Sequence, residues 1–191
     1  TKTPEFMEDT AVRVEDLPAY IRDIEAMCAR YGVRCVYYAH ASVGELHLRP
    51  ELNLTVPEGL EMMKAMAVDV ADIVKGYRGS LSGEHGDGRV RAPFLERFYG
   101  REMIAVFERV KAIWDPQGIF NPGKIVFPKP MDADLRFYPG VKPPAVESVF
   151  EWRDEAGGFM EALNRCNGAG VCRKLAASGG TMCPLLHGHR R

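Results

Sequence analysis

The chain has little that would commit it to a membrane, a nucleic acid or an oxidising compartment. No apolar run approaches the ~18 residues that span a bilayer, and no signal-peptide pattern opens it. Basic and acidic residues nearly balance, 25 against 26, for a net charge of −1. No polybasic surface therefore invites nucleic acid or anionic lipid. A Gly-rich strand-to-helix nucleotide fingerprint, an internal repeat and a low-complexity tract are all absent. Only five cysteines occur in 191 residues, and three of them cluster near the end, an odd set that argues for metal rather than disulfides. The opening, Thr1-Lys2-Thr3-Pro4-Glu5, lacks both methionine and a targeting pattern and reads as a cut inside a longer protein. The rest is average, 46% hydrophobic and 27% charged. That is enough for one ordinary domain with appended material.

Asp16 reads as an N-cap with Pro18 in the first turn. Leu17, Tyr20, Ile21, Ile24 and Met27 follow at helical spacing, and Gly32 supplies the stop. Residues 33–39 are β-branched and aromatic and predict a strand. Leu46 to Pro50 alternates like a second strand, reached through a tight turn at Ser42-Val43-Gly44. A long helix is expected over about 57–75, then a glycine-rich loop over 79–88. Helices are expected over 93–99 and 101–114, the second with Ile104, Phe107, Val110 and Trp114 on one face. The pattern is α+β, an antiparallel sheet covered by helices on one side. Met62, Met63 and Met66 read as core filler, and Cys28 and Cys35 as small buried hydrophobes. After Val126 prolines dominate and periodicity fades. The boundaries read as one domain over 1–128, a linker over 129–157, and a further segment over 158–191 that opens on a helical stretch around Phe159 to Leu163.

Histidines and glycines carry the chemistry. His40 closes one predicted strand and His47 opens the next, so a tight reversal can bring both imidazoles to one side of a site. Glu84, in Gly83-Glu84-His85-Gly86, is a candidate third ligand. Two imidazoles and a carboxylate suit a borderline divalent metal with open positions for substrate. In the loop from Gly79 to Gly88 the backbone must turn sharply or approach a flat ligand closely, which makes Gly83 and Gly86 candidate cofactor contacts. His85 there titrates near neutral pH, as a general base needs, although a surface loop with an exposed histidine reads equally well. Asn121-Pro122-Gly123-Lys124, after Asp115-Pro116, is ordinary turn chemistry by itself.

Together, Gly83-Glu84-His85-Gly86, Asp115-Pro116 and Asn121-Pro122-Gly123-Lys124 resemble the C-terminal cap of FAD-linked oxidases. That family includes the D-lactate, glycolate and D-2-hydroxyglutarate dehydrogenases of the vanillyl-alcohol-oxidase type. Many relatives read His-x-Gly-Asp-Gly-Asn-x-His where this chain has His40-Ala41-Ser42-Val43-Gly44-Glu45-Leu46-His47. The Ala-Ser-Val-Gly form, followed by Leu48-Arg49-Pro50, resembles the long branch fused to an iron–sulfur domain. The resemblance implies a ferredoxin-like cap over about residues 10–127, with His40, His47 and Glu84 on a divalent metal (Zn, Mn or Fe) and His85 as catalytic base. It implies Asn121 near FAD, and it places Arg49 where relatives hold a polar residue that contacts substrate. FAD would be bound mostly by a missing N-terminal domain, and the substrate would be a small D-2-hydroxy acid. The enzyme would be cytoplasmic or peripheral to a membrane.

Cys166-Asn167-Gly168-Ala169-Gly170-Val171-Cys172-Arg173 and Met182-Cys183-Pro184 resemble that branch's iron–sulfur segment, a variant of the ferredoxin run. Three thiolates leave a 4Fe-4S cluster one ligand short, so the rest of that domain would lie beyond residue 191. A zinc knuckle using His187 or His189 is the alternative for the segment. For the chain as a whole the alternative is a non-enzymatic metal or iron–sulfur electron carrier. Residues 185–191 read as a frameshifted tail: one inserted C turns codons for Pro-Ser-Tyr-Met-Ala-Thr into Pro-Leu-Leu-His-Gly-His.

Overall fold

In the computed structural model, residues 3–141, 146–147, 149, 152 and 158–166 are described. The chain falls into two units, residues 1–141 and 142–191. The first contains β1 (Asp9–Ala11), α1 (Leu17–Arg30), β2 (Cys35–His40), β3 (Glu45–Pro50), α2 (Pro57–Gly76), α3 (Leu95–Tyr99) and α4 (Arg101–Trp114). The sheet order is β1-β3-β2, with both pairings antiparallel, so the unit is α+β as the sequence pattern predicts.

Strand β3 divides the unit into two faces. Its Leu46 and Leu48 are buried with Tyr20, Ile24 and Met27 of α1 and Met63, Met66 and Val70 of α2. Its Glu45, His47 and Arg49 fall on the opposite face, because successive strand residues alternate. Across the β2 pairing, Arg49 meets Val36, His47 meets Tyr38, and Glu45 meets His40. One face of the sheet is thus apolar and helix-covered, and the other gathers polar and ring side chains.

Strand β1 is too short to show alternation in the sequence. It is anchored from the core side by a hydroxyl–hydroxyl bond of 2.6 Å between Thr10 and Tyr20. Its free edge is taken by the loop after α2. Ala11 N–H donates to Ser80 O at 3.0 Å, Ser80 N–H returns to Ala11 O at 2.7 Å, and Gly83 N–H donates to Asp9 O at 2.7 Å. The glycine-rich loop therefore runs along β1 and delivers its histidine to the sheet.

Two expectations shift, at the start of β2 and at Asp16. β2 begins two residues late because residue 33 belongs to the end of α1. Gly32, at φ 64°, lets the N–H groups of Gly32 and Val33 close back onto the carbonyls of Ala29 and Cys28, a Schellman stop. Asp16 makes no side-chain cap bond: it is already in a helical conformation, within a short 3-10 turn over Val14–Asp16. On α4, Ile104 is buried and Phe107 half-buried, but Val110 and Trp114 are exposed, Trp114 by 81%. With Met103, Val106 and Ile113 they form an exposed apolar stripe along α4, and Ile119 and Phe120 after it are exposed as well.

Within the segment expected as a linker, Met131 is buried and Leu135 packs on the core of the first unit. Lys64 reaches Asp132 at 3.4 Å. In the second unit, α5 (Gly158–Asn164) covers the predicted helical stretch, with the Trp152 and Phe159 ring centroids 5.5 Å apart. Among the described residues no helix is long and apolar enough to cross a membrane.

Gly44 closes the β2–β3 reversal at φ 74°, where an added Cβ would lie 1.9 Å from Val12 O. At Gly76 a Cβ meets nothing within 4 Å. Gly44→Ala should destabilise the fold by about 2 kcal/mol or more. Gly76→Ala should raise stability by up to about 1 kcal/mol. Urea denaturation of the two variants checks the pair, and equal effects would contradict the assigned turn.

Candidate active site

Four elements converge on the polar face. β2 ends on His40, β3 contributes Glu45, His47 and Arg49, the segment entering β1 brings Glu8 and Asp9, and the loop after α2 brings Glu84 and His85. His47 is the hub and is only 2% exposed. Tyr38 stacks on it at 4.6 Å between centroids, His85 stacks at 5.4 Å, and His40 meets it edge-on at 5.3 Å.

The loop holds its shape through Asp9. This carboxylate is fully buried and accepts hydrogen bonds from Ser82 Oγ (2.5 Å), Glu84 N–H (3.1 Å) and His85 N–H (2.8 Å). Arg91 lies 3.5 Å away and also donates to Gly86 O. Burial opposes ionisation of Asp9, but a proton shared with the neighbouring Glu45 carboxyl, the Ser82 hydroxyl and the two backbone N–H groups together outweigh it. They hold the carboxyl well below the usual range. Glu45, sharing that hydrogen bond with Asp9, is pushed up, with burial adding to the shift.

Glu8 fixes the rings. Its two oxygens lie 3.2 Å from His47 Nδ1 and 2.7 Å from His85 Nδ1. A carboxylate only accepts, so both Nδ1 atoms carry the hydrogen and neutral rings offer Nε2 as acceptor or metal ligand. This is the outer-shell arrangement that orients ligating histidines. His85 is raised above the ordinary imidazole range, first by the hydrogen bond to Glu8, against some loss from burial.

The Nε2 atoms face the Glu84 carboxylate. Its Oε1 lies 3.6 Å from His40 Nε2, 3.7 Å from His47 Nε2 and 3.2 Å from His85 Nε2. Donor atoms of His40, Glu45, His47 and Glu84 all fall within 4.8 Å of one another. The structure therefore brings together His40, His47, Glu84 and His85. Reasoning from the sequence missed Glu8, Asp9 and Glu45. Glu45 could have been found, two residues before His47 on the same strand face. Glu8 and Asp9 gave no signal, because nothing in their neighbourhood announces a strand.

The other candidates are placed as follows. Arg49 is held by Glu5, lies 3.8 Å from Glu8 and donates to the Tyr38 hydroxyl at 3.1 and 2.6 Å. It flanks the histidines. Gly83 is needed for a close approach to Glu45, since a Cβ would lie 2.9 Å from its carboxyl group. Gly86 takes a left-handed φ of 78° with open space around it. Asn121 is exposed at φ 46°, in a turn fixed by Asp115, which accepts from the N–H groups of Ile119 and Phe120 at 2.9 Å each. Among the described residues no hydrogen bond or ion pair joins Asn121 to the histidines. Cys166 is exposed just after α5. Cys172, Cys183, His187, His189 and the tail over 185–191 lie outside the described residues.

Residues 1–125 match the family described as FAD linked oxidases, C-terminal domain. A D-2-hydroxyglutarate dehydrogenase of Escherichia coli (strain K12) is 37% identical over 189 residues, covering 95% of this chain and 17% of that protein. Glycolate oxidase subunit GlcD of Bacillus subtilis (strain 168) is 27% identical over 124 residues, 65% of this chain and 26% of that protein. A D-lactate dehydrogenase of Archaeoglobus fulgidus is 30% identical over 119 residues, 62% of this chain and 26% of that protein. The chain thus spans about a sixth of the length of the long relatives it matches.

Asp9→Asn would set an amide N–H₂ against groups that now donate to a carboxylate. Loss of the buried partner should cost about 3 kcal/mol or more and release the Ser82–His85 loop. Hydrogen exchange at the Glu84 and His85 amides reads the release. Unchanged protection would contradict the clamp.

Proposed function

The chain belongs to the FAD-linked oxidases through their C-terminal domain, and from that premise we propose that it is the substrate domain of a flavin-dependent dehydrogenase of D-2-hydroxy acids. One observation carries the reading: two imidazole Nε2 atoms and a loop carboxylate converge beside a third imidazole, with Glu8 behind both His47 and His85. The donor set fits a divalent cation. Glu8, Asp9, Glu45 and Glu84 outnumber Arg49 and Arg91, and Glu45 Oε1 is buried with no hydrogen-bond partner. An anionic substrate would be repelled from so acidic a pocket unless a cation offset it.

His40, His47 and Glu84 would hold Zn, Mn or Fe. Bound, the metal would supply Lewis acidity toward the hydroxyl and carboxylate of the acid, and a flavin on a separate domain would supply the hydride acceptor. His85 takes the hydroxyl proton at Nε2. Glu8 holds the Nδ1 hydrogen, so the ring presents its free nitrogen to the substrate, and the charge formed on protonation lies beside a carboxylate. Glu84, 3.2 Å from His85 Nε2 here, would leave that nitrogen free for the proton when it serves as a ligand. Arg49, now paired with Glu5 and the Tyr38 hydroxyl, would grip a substrate carboxylate by exchanging Glu5 for it. D-2-hydroxyglutarate leads the candidates, because relatives of that name match nearly the whole chain. D-lactate and glycolate follow.

The apolar stripe of α4 and the turn bearing Phe120 and Asn121 would face the flavin domain, where Asn121 would meet FAD with Gly83 and Gly86. The second unit would open a 4Fe-4S domain through Cys166, Cys172 and Cys183. Supporting this, the match to the long relatives continues through 95% of the chain, while that to the GlcD subunit covers 65%. Electrons would leave the flavin by that route, and the remaining cluster ligand and the FAD-binding domain would lie in the full-length protein.

The test uses that full-length protein with an artificial acceptor dye and a panel of 2-hydroxy acids. A D-2-hydroxy acid should be oxidised, and His85→Ala should lower kcat by 10²–10⁴-fold while FAD stays bound. Near-native turnover in His85→Ala would remove the base assignment, and no turnover with any acid would remove the reading.

A further inference from the structure

Resting on the metal-site reading above, we propose that Glu45 is a fourth protein ligand of that site. The ion would then be held by two imidazoles and two carboxylates before substrate arrives. Glu45 is directly opposite His40 in the β2–β3 pairing and two residues before His47, so the three side chains share one face. It is 5% exposed, and Oε1 has no hydrogen-bond partner. Leaving such an atom buried and unpaired is costly, and a cation removes the cost. That oxygen lies 3.8 Å from His47 Nε2, beside the 3.6 and 3.7 Å separations of Glu84 Oε1 from His40 and His47. Four ligands at about 2.1 Å from a tetrahedral ion lie about 3.4 Å apart, so a small contraction closes the set.

The loop is shaped to leave this carboxylate its place. A Cβ at Gly83 would lie 2.9 Å from both Cδ and Oε1 of Glu45. Because Glu45 is enclosed, its end could not swing clear without leaving the site. Arg49, the next residue on the same strand face beyond His47, is already occupied by Glu5 and Tyr38 and does not neutralise Glu45. With two carboxylates bound, a dication is formally neutral. The substrate must then join as a further ligand or displace one, and Glu45, on the rigid strand, is set apart from Glu84 on the loop.

The test is titration of the 191-residue chain with Zn²⁺ and Co²⁺. The native chain should bind one ion. Glu45→Gln should weaken Zn²⁺ binding about ten-fold or more and change the visible spectrum of bound Co²⁺, which reports the ligand set. Gly83→Ala, which displaces the same carboxylate without removing it, should shift both readouts in the same direction, and far-UV circular dichroism verifies that each variant is folded. Native affinity in Glu45→Gln overturns the proposal and leaves the three-ligand reading intact. Weaker binding with an unchanged Co²⁺ spectrum also overturns it, since that is a field effect without ligation. If the native chain binds neither ion, the metal-site reading falls with it.

Discussion

A single buried carboxylate sets the geometry on which the site depends. Asp9 pairs with His47 across the β1–β3 ladder, so its backbone position is fixed by the sheet. Its side chain then captures two successive N–H groups of a loop more than seventy residues away, together with Ser82. A loop with four glycines in ten residues has little conformation of its own to offer. It acquires one because a charge at zero exposure demands hydrogen bonds, and the loop is what supplies them. Glu84 and His85 reach the polar face as a consequence.

The same economy appears in Glu8. One side chain defines the tautomers of His47 and His85 together, so the proposed metal ligand and the proposed base share one partner. That coupling suits a reaction in which the hydroxyl oxygen is polarised on one side and deprotonated on the other. The acidic surroundings fit the divalent cation proposed for His40, His47 and Glu84. The apolar stripe of α4, with Trp114 exposed, is the kind of surface that suits the partner domain proposed for it.

Much of this was legible in the sequence because local rules govern it. α4 spans Arg101–Trp114 as the pattern predicts, and α2 ends one residue late. The hairpin bringing His40 to His47 follows from two strands separated by Gly44. What was hidden depends on non-local pairing. β1 is three residues long and exists because β3 offers an edge, so Glu8 and Asp9 carried no signal. Glu45 lay in view, on the face that alternation assigns to His47, but a lone acid beside a turn is most often a solvated surface group. Of the face that spacing assigns to Ile104, Phe107, Val110 and Trp114, only the first two pack on the core, because helical spacing shows that a stripe exists without showing which neighbour covers it.

The most direct test of the central claim, that this face holds a divalent metal for hydroxy-acid chemistry, is anomalous diffraction from crystals of the protein loaded with Zn²⁺. The account predicts one strong peak within bonding distance of His40 Nε2, His47 Nε2 and a Glu84 oxygen, with His85 beside it and unligated. A peak elsewhere, or ligation through His85 in place of His40, would contradict it.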